Sequence, residues 1–478
     1  MSATTVLPKE AKLNQHTPPT QGEESEEISL YETRRRIYYR AVQGLYNNWR
    51  VALVWITQIL YFGLPWLAWE GRQSILFDLG ARKFYLFDWV FWPQDFIWLA
   101  ALLIISALGL FLFTAIAGRL WCGYACPQTV YTEILVWIER LFEGDHKRQQ
   151  KLTDQPWNGE KILRRGGKQL AWILFSFWNG FTLVAYFTPA TVLWQELITL
   201  SFGPWETFWI LFYALATWGF AGIMRDQVCK YMCPYSRFQS AMFDMDTLII
   251  TYDGKRGEPR NARRKGEAQA QGDCVDCGIC VAVCPTGIDI RNGLQYMCIG
   301  CAACIDACDQ VMDKVGSPRG LIRYSTQNAI EGIYPDSEIK RHIFRPRILF
   351  YIAVFTAILI AVGYTMAMRV PLLVDVLRDR NSLSREAPSG EIENLYRLQI
   401  INMDAKAHRF EVRAKGIPNL KVTRGQLTDI PALGTETVVV TLEAPRLSIS
   451  RPSTPIQFEV VAQDAPGLLR ETKSSFIK

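Results

Sequence analysis

Residues 274–285 read Cys274-Val275-Asp276-Cys277-Gly278-Ile279-Cys280-Val281-Ala282-Val283-Cys284-Pro285, and residues 298–309 repeat the pattern as Cys298-Ile299-Gly300-Cys301-Ala302-Ala303-Cys304-Ile305-Asp306-Ala307-Cys308-Asp309. Each run holds three cysteines separated by two residues and a fourth after three more. Thiolates are soft ligands that suit zinc, Cu(I) and iron–sulfur centres. Zinc sites usually set two close pairs apart with a longer spacer. Two triplets, each with a trailing fourth cysteine, fit instead two cubanes of four irons and four sulfides.

This spacing is the signature of a two-cluster ferredoxin loop. Three thiolates wrap one cluster, while the fourth opens a helix pointing at the other. One 4Fe-4S cluster is therefore expected on Cys274, Cys277, Cys280 and Cys308, and its neighbour on Cys298, Cys301, Cys304 and Cys284. Asp309 stands where Pro285 stands in the first run. The ligands are unaffected, but charge near sulfur tunes a cluster's potential.

Outward from this loop the chain is apolar. Of its 478 residues 49% are hydrophobic, which leans away from an ordinary soluble enzyme. Residues 51–69, 96–118, 169–194, 207–224 and 348–368 carry no charge. A bilayer core of about 30 Å needs roughly 20 apolar residues, so each run is expected to span. Aromatic residues crowd 84–92, as in an interfacial belt. The first run starts behind a polar, Glu-rich leader and does not look like a cleaved signal peptide. Arg34, Arg35, Arg36, Arg40 and Arg50 precede it, and nine Lys or Arg lie between Arg119 and Lys168. By contrast the loop after the first run holds only Arg72, Arg82 and Lys83, and 195–206 holds none. This asymmetry puts the N-terminus in the cytoplasm and, after five spans, the C-terminus outside. The net charge of +6, with its cluster at Arg260, Arg263, Arg264 and Lys265, is explained by that retention and by contact with membrane lipid, so no nucleic-acid partner is expected.

All twelve cysteines fall on the expected inner side, which argues against a disulfide framework. The remaining four form a second repeat, Cys122-Gly-Tyr-Ala-Cys126-Pro127 and Cys229-Lys-Tyr-Met-Cys233-Pro234, each after a span and each before an amphipathic stretch, 130–142 and 238–250. Parallel repeats are usually related by an axis along the membrane normal, so Cys122, Cys126, Cys229 and Cys233 are expected to meet. Four-residue spacing stacks two thiols on one helix face, and proline suits the first position of a following helix. Cys126 and Cys233 would then sit at helix N-termini, where the dipole favours thiolate. Such thiolates suit Cu(I), zinc or a redox role. Met224 and Met232 could add a thioether, although packing is the commoner role of methionine. His16, His146, His342 and His408 lie outside the charge-free runs, so bis-histidine haem within the membrane is excluded. No phosphate-binding glycine loop or dinucleotide fingerprint is present.

After Arg369 the pattern changes to short alternating segments, Tyr396 to Ile400, Arg409 to Arg413, Thr437 to Thr441 and Ile456 to Val461, divided by turn residues. About one hundred residues of this kind suggest a small β-sandwich, with docking or spacing as its default role.

Taken together, these motifs resemble the CcoG family, also called FixG or RdxA, bacterial accessory factors for assembling cbb-type cytochrome c oxidase. The resemblance implies a polytopic α-helical protein of the cell inner membrane with five transmembrane helices, an inserted two-cluster ferredoxin-like domain and a periplasmic immunoglobulin-like β-sandwich. Its layout would be 1–50 leader, 51–250 four spans with both Cys-x-x-x-Cys-Pro repeats, 251–346 cluster domain, 347–370 fifth span and 371–478 sandwich. It further implies reduction of Cu(II) to Cu(I), with copper handled by Cys122, Cys126, Cys229 and Cys233 and delivered to oxidase-assembly or copper-delivery proteins. The cytoplasmic electron donor is not identified by the sequence, and a homodimer stays open. Two other functions compete: a quinol dehydrogenase drawing on the membrane pool, and a non-enzymatic assembly scaffold. The paired membrane motifs alone are shared with quinol-oxidising membrane ferredoxins.

Protein purified under strict anaerobiosis is expected to hold about eight iron and about eight sulfide per chain, the content of two cubanes. Stoichiometric zinc in their place would refute the cluster assignment.

Overall fold

The computed structural model describes residues 36–261, 272–378, 384–449 and 451–478. Of the basic residues noted above, Arg34, Arg35, Arg263, Arg264 and Lys265 lie outside these, as do His16 and the rest of the leader before Arg36. Among the described residues three helices are long and apolar enough to cross a membrane: Phe96–Ala117, Pro204–Met224 and Pro346–Ala367, of 22, 21 and 22 residues. At about 1.5 Å per residue each reaches roughly 30 Å. The most apolar window of Phe96–Ala117 has no residue buried within the protein. A helix that is apolar on every side and turns that surface outward requires lipid around it.

The other two expected spans are less continuous. The run at 51–69 lies partly in Leu45–Gly63, which also carries Asn47, Asn48 and Arg50 and gives way at Leu64–Trp66 to a 3-10 turn containing Pro65. Ala68–Trp69 then pairs with Arg72–Gln73 as a hairpin. The run at 169–194 is divided between Gly159–Val184 and Ala190–Thr199, with Pro189 at the junction. The first helix ends at Val184, and Pro189, which cannot donate a backbone hydrogen bond to a preceding turn, stands before the next. Three of the five expected spans are thus matched by helices of full length and apolarity.

Helix Pro204–Met224 packs on Gly159–Val184 at Gly180, where an added Cβ would collide with the carbonyl of Ile210. Small residues allow such close backbone approach between membrane helices, and side-chain amides supplement it. Here the Asn179 amide donates to Thr217 Oγ1 at 2.7 Å. From Trp218 to Met224 the helix widens to π geometry, a local form that recurs at functional sites. The expected amphipathic stretch at 130–142 lies within the helix Pro127–Glu143, but its counterpart at 238–250 does not stay helical. Its helix, Pro234–Met242, stops early, and Ile249–Tyr252 pairs antiparallel with Ile322–Ser325, the strand that closes the cysteine-rich insert.

The C-terminal part is a two-sheet sandwich. One sheet orders Lys421–Arg424, Thr435–Ala444, Ile392–Asn402 and Leu372–Arg378, with Arg385–Glu386 added to Ile392–Asn402. The other orders Leu427–Ile430, His408–Lys415, Ser453–Ala462 and Leu469–Ile477. Alternate residues point inward, and Tyr396, Leu398, Phe410, Val412, Phe458 and Phe476 fill the space between. The aromatic run at 84–92 folds into strands Lys83–Leu86 and Trp89–Phe91, which join Ile75–Asp78. Val90 and Trp92 of this small sheet bury against Ile401 of the sandwich, and Lys83 donates to the Leu433 carbonyl at 2.8 Å. The aromatic run therefore serves as a docking surface, which its composition did not reveal.

His408 is 4% exposed in the sandwich, with Nδ1 2.7 Å from Asp464 and Nε2 3.1 Å from Asp404. Burial works against its charge, but hydrogen bonds to the two carboxylates outweigh burial and raise its pKa above the usual 6.5. A raised histidine pKa stabilises the fold fully below the unfolded value of about 6.5, and the benefit is lost as pH climbs through the folded value. In pulse proteolysis of the full chain, His408→Gln should cost the sandwich on the order of 1–2 kcal/mol at pH about 5.5 and less at pH about 8.5. A difference that grows with pH would show that the ring is held neutral.

Candidate metal centres

Two cavities underlie the cysteine loop. Cys274, Cys277, Cys280 and Cys308 wall the first, and Cys284, Cys298, Cys301 and Cys304 wall the second, with Cys280 also reaching its edge. The structure therefore brings together the two groups of four expected from the spacing. The remaining walls are largely apolar, with Ile279, Met312 and Leu321 at the first and Ile250, Ile288 and Ile290 at the second. Among the described residues no three His, Cys, Asp or Glu side chains converge on a single-ion position. Four thiols around each of two largely apolar cavities supply the all-sulfur donor set that a cubane takes. When bound, such clusters supply one-electron transfer.

The local route differs from expectation. Helix Ala303–Val315 carries both Cys304 and Cys308, and Cys284 follows the single turn Ile279–Ala282, so in neither run does the fourth cysteine open a helix. The helices begin earlier because Gly278 and Ala302 adopt left-handed backbone, at φ 64° and 59°, inside each triplet. Burial pushes the Cys280 thiol up to about 11 and those of Cys298 and Cys308 to about 12. Metal loading thus releases protons, since thiolate is the ligating form.

The two Cys-x-x-x-Cys-Pro segments also meet. Each is built the same way: Cys126 and Cys233 precede the helices Pro127–Glu143 and Pro234–Met242, with proline at their first position. In each, a hydroxyl seven residues after the first cysteine donates back to its carbonyl, Thr129 to Cys122 and Ser236 to Cys229, both at 2.6 Å. Cys122 and Cys126 do not share one continuous helix, because Leu120–Tyr124 ends between them. Cys229 lies on the π turn Val228–Met232. The Gln239 amide of the second segment donates to Cys122 Sγ of the first at 3.3 Å. Burial pushes Cys122 up to about 11 and Cys229 to about 12, the latter with added repulsion from Cys126, Cys122 and Cys233. Cys126 is likewise raised by burial, against the backbone N–H groups of Thr129 and Gln128. Burial thus opposes the thiolate that this helix N-terminus favours. Met232 is half exposed.

The thiol pairs abut the cluster loop. A Cβ on Gly123 would lie 2.8 Å from Cys301 Cα, so only glycine permits this backbone approach. Arg119 donates to the carbonyls of Ser236 at 2.9 Å and Cys298 at 3.2 Å, joining both cysteine segments and the loop. Arg119, Gly123 and Gln239 went unnoticed in the sequence, where each is an ordinary residue near a more conspicuous cysteine.

Known proteins place this arrangement. The 4Fe-4S dicluster domain matches residues 224–327, a 4Fe-4S binding domain matches 99–144, and the IG-like fold at the C-terminal of FixG matches 362–478. The nitrogen fixation protein FixG of Rhizobium meliloti is 37% identical, over 81% of this chain and 81% of its own. Protein RdxA of Cereibacter sphaeroides is 38% identical, over 87% and 91%, and protein RdxB of the same organism is 40% identical, over 80% and 83%. Helices apolar enough for a membrane, paired iron–sulfur cradles and the C-terminal sandwich together make this chain an iron–sulfur electron-transfer protein of the FixG and RdxA family.

Proposed function

We propose that the chain reduces Cu(II) to Cu(I) at Cys122, Cys126, Cys229 and Cys233 and passes the product toward assembly of a cbb-type cytochrome c oxidase. The eight loop cysteines would hold two clusters in the crossed sets given above. The observation that carries this reading is that the two Cys-x-x-x-Cys-Pro segments meet and that Gly123 of the first lies directly on the backbone of Cys301. A thiol site in contact with a cluster-bearing loop suits one-electron chemistry, and Cu(II) takes up one electron. Soft sulfur then holds the Cu(I) formed. In this reading the chain spans the inner membrane five times, with the leader and clusters in the cytoplasm and the sandwich in the periplasm, following the lysine and arginine asymmetry.

One finding favours a second reading. The 4Fe-4S binding domain matched at 99–144 contains only Cys122 and Cys126, so a cluster there would need Cys229 and Cys233 as well. Iron content separates the two, because a third cubane raises it to about twelve per chain.

Dithionite-reduced protein is expected to convert added Cu(II) to chelatable Cu(I). Replacing both Cys122 and Cys126 by Ser should abolish copper retention and leave iron content unchanged. Loss of about four irons in that variant would favour the third cluster. Copper retention surviving both Cys122→Ser, Cys126→Ser and Cys229→Ser, Cys233→Ser would remove the copper site altogether. Gly123→Val should force the loop away from Cys301, destabilising this junction by about 1–3 kcal/mol and altering the paramagnetic resonance of the reduced protein. An unchanged spectrum would show that the contact does not matter to the cluster.

A further inference from the structure

Between the thiol pairs, the cluster loop and the end of helix Pro204–Met224 lies a cavity of about 410 Å³. Pockets for small organic molecules run from about 300 to 1,000 Å³. Gly222 and Ile223, from the last turn of the apolar helix, form one wall, and Pro285, Thr286 and Ile299 of the cluster loop form another. Cys229 also reaches it. Thr286 is not remote from a cradle, because its hydroxyl is 3.3 Å from Cys284 Sγ. A molecule here would touch the loop that carries the second group of four cysteines while sitting where a membrane helix ends.

Charge selects the kind of molecule. Arg36, Arg50, Lys168, Arg225, Glu133 and Asp226 face the cavity, and each already has an ionic partner. Arg50 pairs with Glu133 at 3.2 Å, Lys168 with Glu143 at 2.7 Å, Lys230 with Asp226 at 3.2 Å, and Arg36 and Arg225 with Glu139. Every charge that faces the cavity is thus engaged, but five cations share four carboxylates, so the walls are net positive and favour a ligand with acceptor oxygens over a hydrated cation. The remaining wall mixes apolar surface, Ile37, Trp172 and Ile223, with neutral hydrogen-bonding groups, Tyr39, Thr132 and Gln169. Arg50 is 7% exposed, yet its Nε has no hydrogen-bond partner. A buried donor without an acceptor implies a ligand oxygen or water to satisfy it.

We propose that this cavity binds a neutral ring of the hydroquinone/quinone class and so provides the entry point for reducing equivalents. Its oxygens would meet Arg50 and the Glu133 carboxylate, which also accepts from Trp137 at 2.9 Å and from Tyr39 at 3.4 Å. Oxidation of the hydroquinone breaks two O–H bonds and releases two protons and two electrons. Glu133 takes one proton, water at the mouth takes the other, and two one-electron acceptors of the iron–sulfur class take the electrons. The proposal rests on reading the cysteine loop as the cluster domain, and it is independent of whether copper is the final acceptor.

The test is photolabelling of the full chain in nanodiscs with an azidoquinone, with decylubiquinone as competitor. Label is expected on the peptides carrying Thr132 and Ile223, competed by decylubiquinone, and reduced at least tenfold by the cavity-filling variants Thr132→Phe and Ile223→Trp. Glu133→Gln should retain label while slowing quinol-driven bleaching of the visible absorbance. Label confined to other segments, label not displaced by decylubiquinone, or label displaced equally by anionic phospholipid would each overturn the assignment. Wild-type protein that reduces copper with dithionite but takes no label would refute this site alone, and the reverse result would refute the copper reading alone.

Discussion

Three carboxylates on one helix hold the cluster-facing side of this protein in register. Glu133, Glu139 and Glu143 project from Pro127–Glu143, and Glu139 is 1% exposed. Their partners come from separate segments: Arg36 from the leader, Arg50 from Leu45–Gly63, Lys168 from Gly159–Val184 and Arg225 from the end of Pro204–Met224. Replacing such pairs by apolar residues can be neutral for stability, but removing one partner strands a buried charge at about 3–5 kcal/mol. The network's consequence is therefore specificity. Any sliding of one helix against the next would leave a carboxylate or a guanidinium unpaired in a dry environment.

That register fixes where the cysteines stand. Once Pro127–Glu143 is held, Cys126 at its start and Cys122 one short turn earlier are placed, and Arg119 reaches over to Ser236 and Cys298. The cluster insert is tied from the opposite side. Asp306, between two cradle cysteines, accepts from the backbone N–H groups of Tyr46 and Asn47 at 3.2 and 2.7 Å and so caps Leu45–Gly63. A carboxylate at a helix N-terminus satisfies orphan donors and complements the dipole. The insert is thus attached to Leu45–Gly63 through hydrogen bonds as well as to the rest of the protein through chain connectivity. The cavity beneath it is a by-product of the same packing, roofed by the loop and floored by the charged helix.

Much of this was legible in order along the chain. The cysteine runs specified their chemistry because ligand spacing is a local property, and the strand alternation after Arg369 predicted two inward-facing layers for the same reason. Charge-free runs located three membrane-length helices, while at 51–69 and 169–194 the structure divides the runs among shorter elements, with Pro65 and Pro189 at the breaks. The aromatic run at 84–92 looked like a membrane belt, and tertiary contact with Ile401 made part of it a docking face.

What the sequence determined by itself was the inventory: twelve thiols in three groups, the duplicated Cys-x-x-x-Cys-Pro unit, apolar helices and a β-sandwich tail. These depend on residue type and on spacings of a few residues, over which backbone geometry leaves little choice. The tertiary structure alone decided that Gly123 lies against Cys301, that Gln239 reaches Cys122, that burial opposes the thiolate at Cys126, and that six paired charges surround one cavity. Most of these join residues far apart in the chain or depend on solvent exclusion created by distant segments, and no local pattern encodes which surfaces will close over one another.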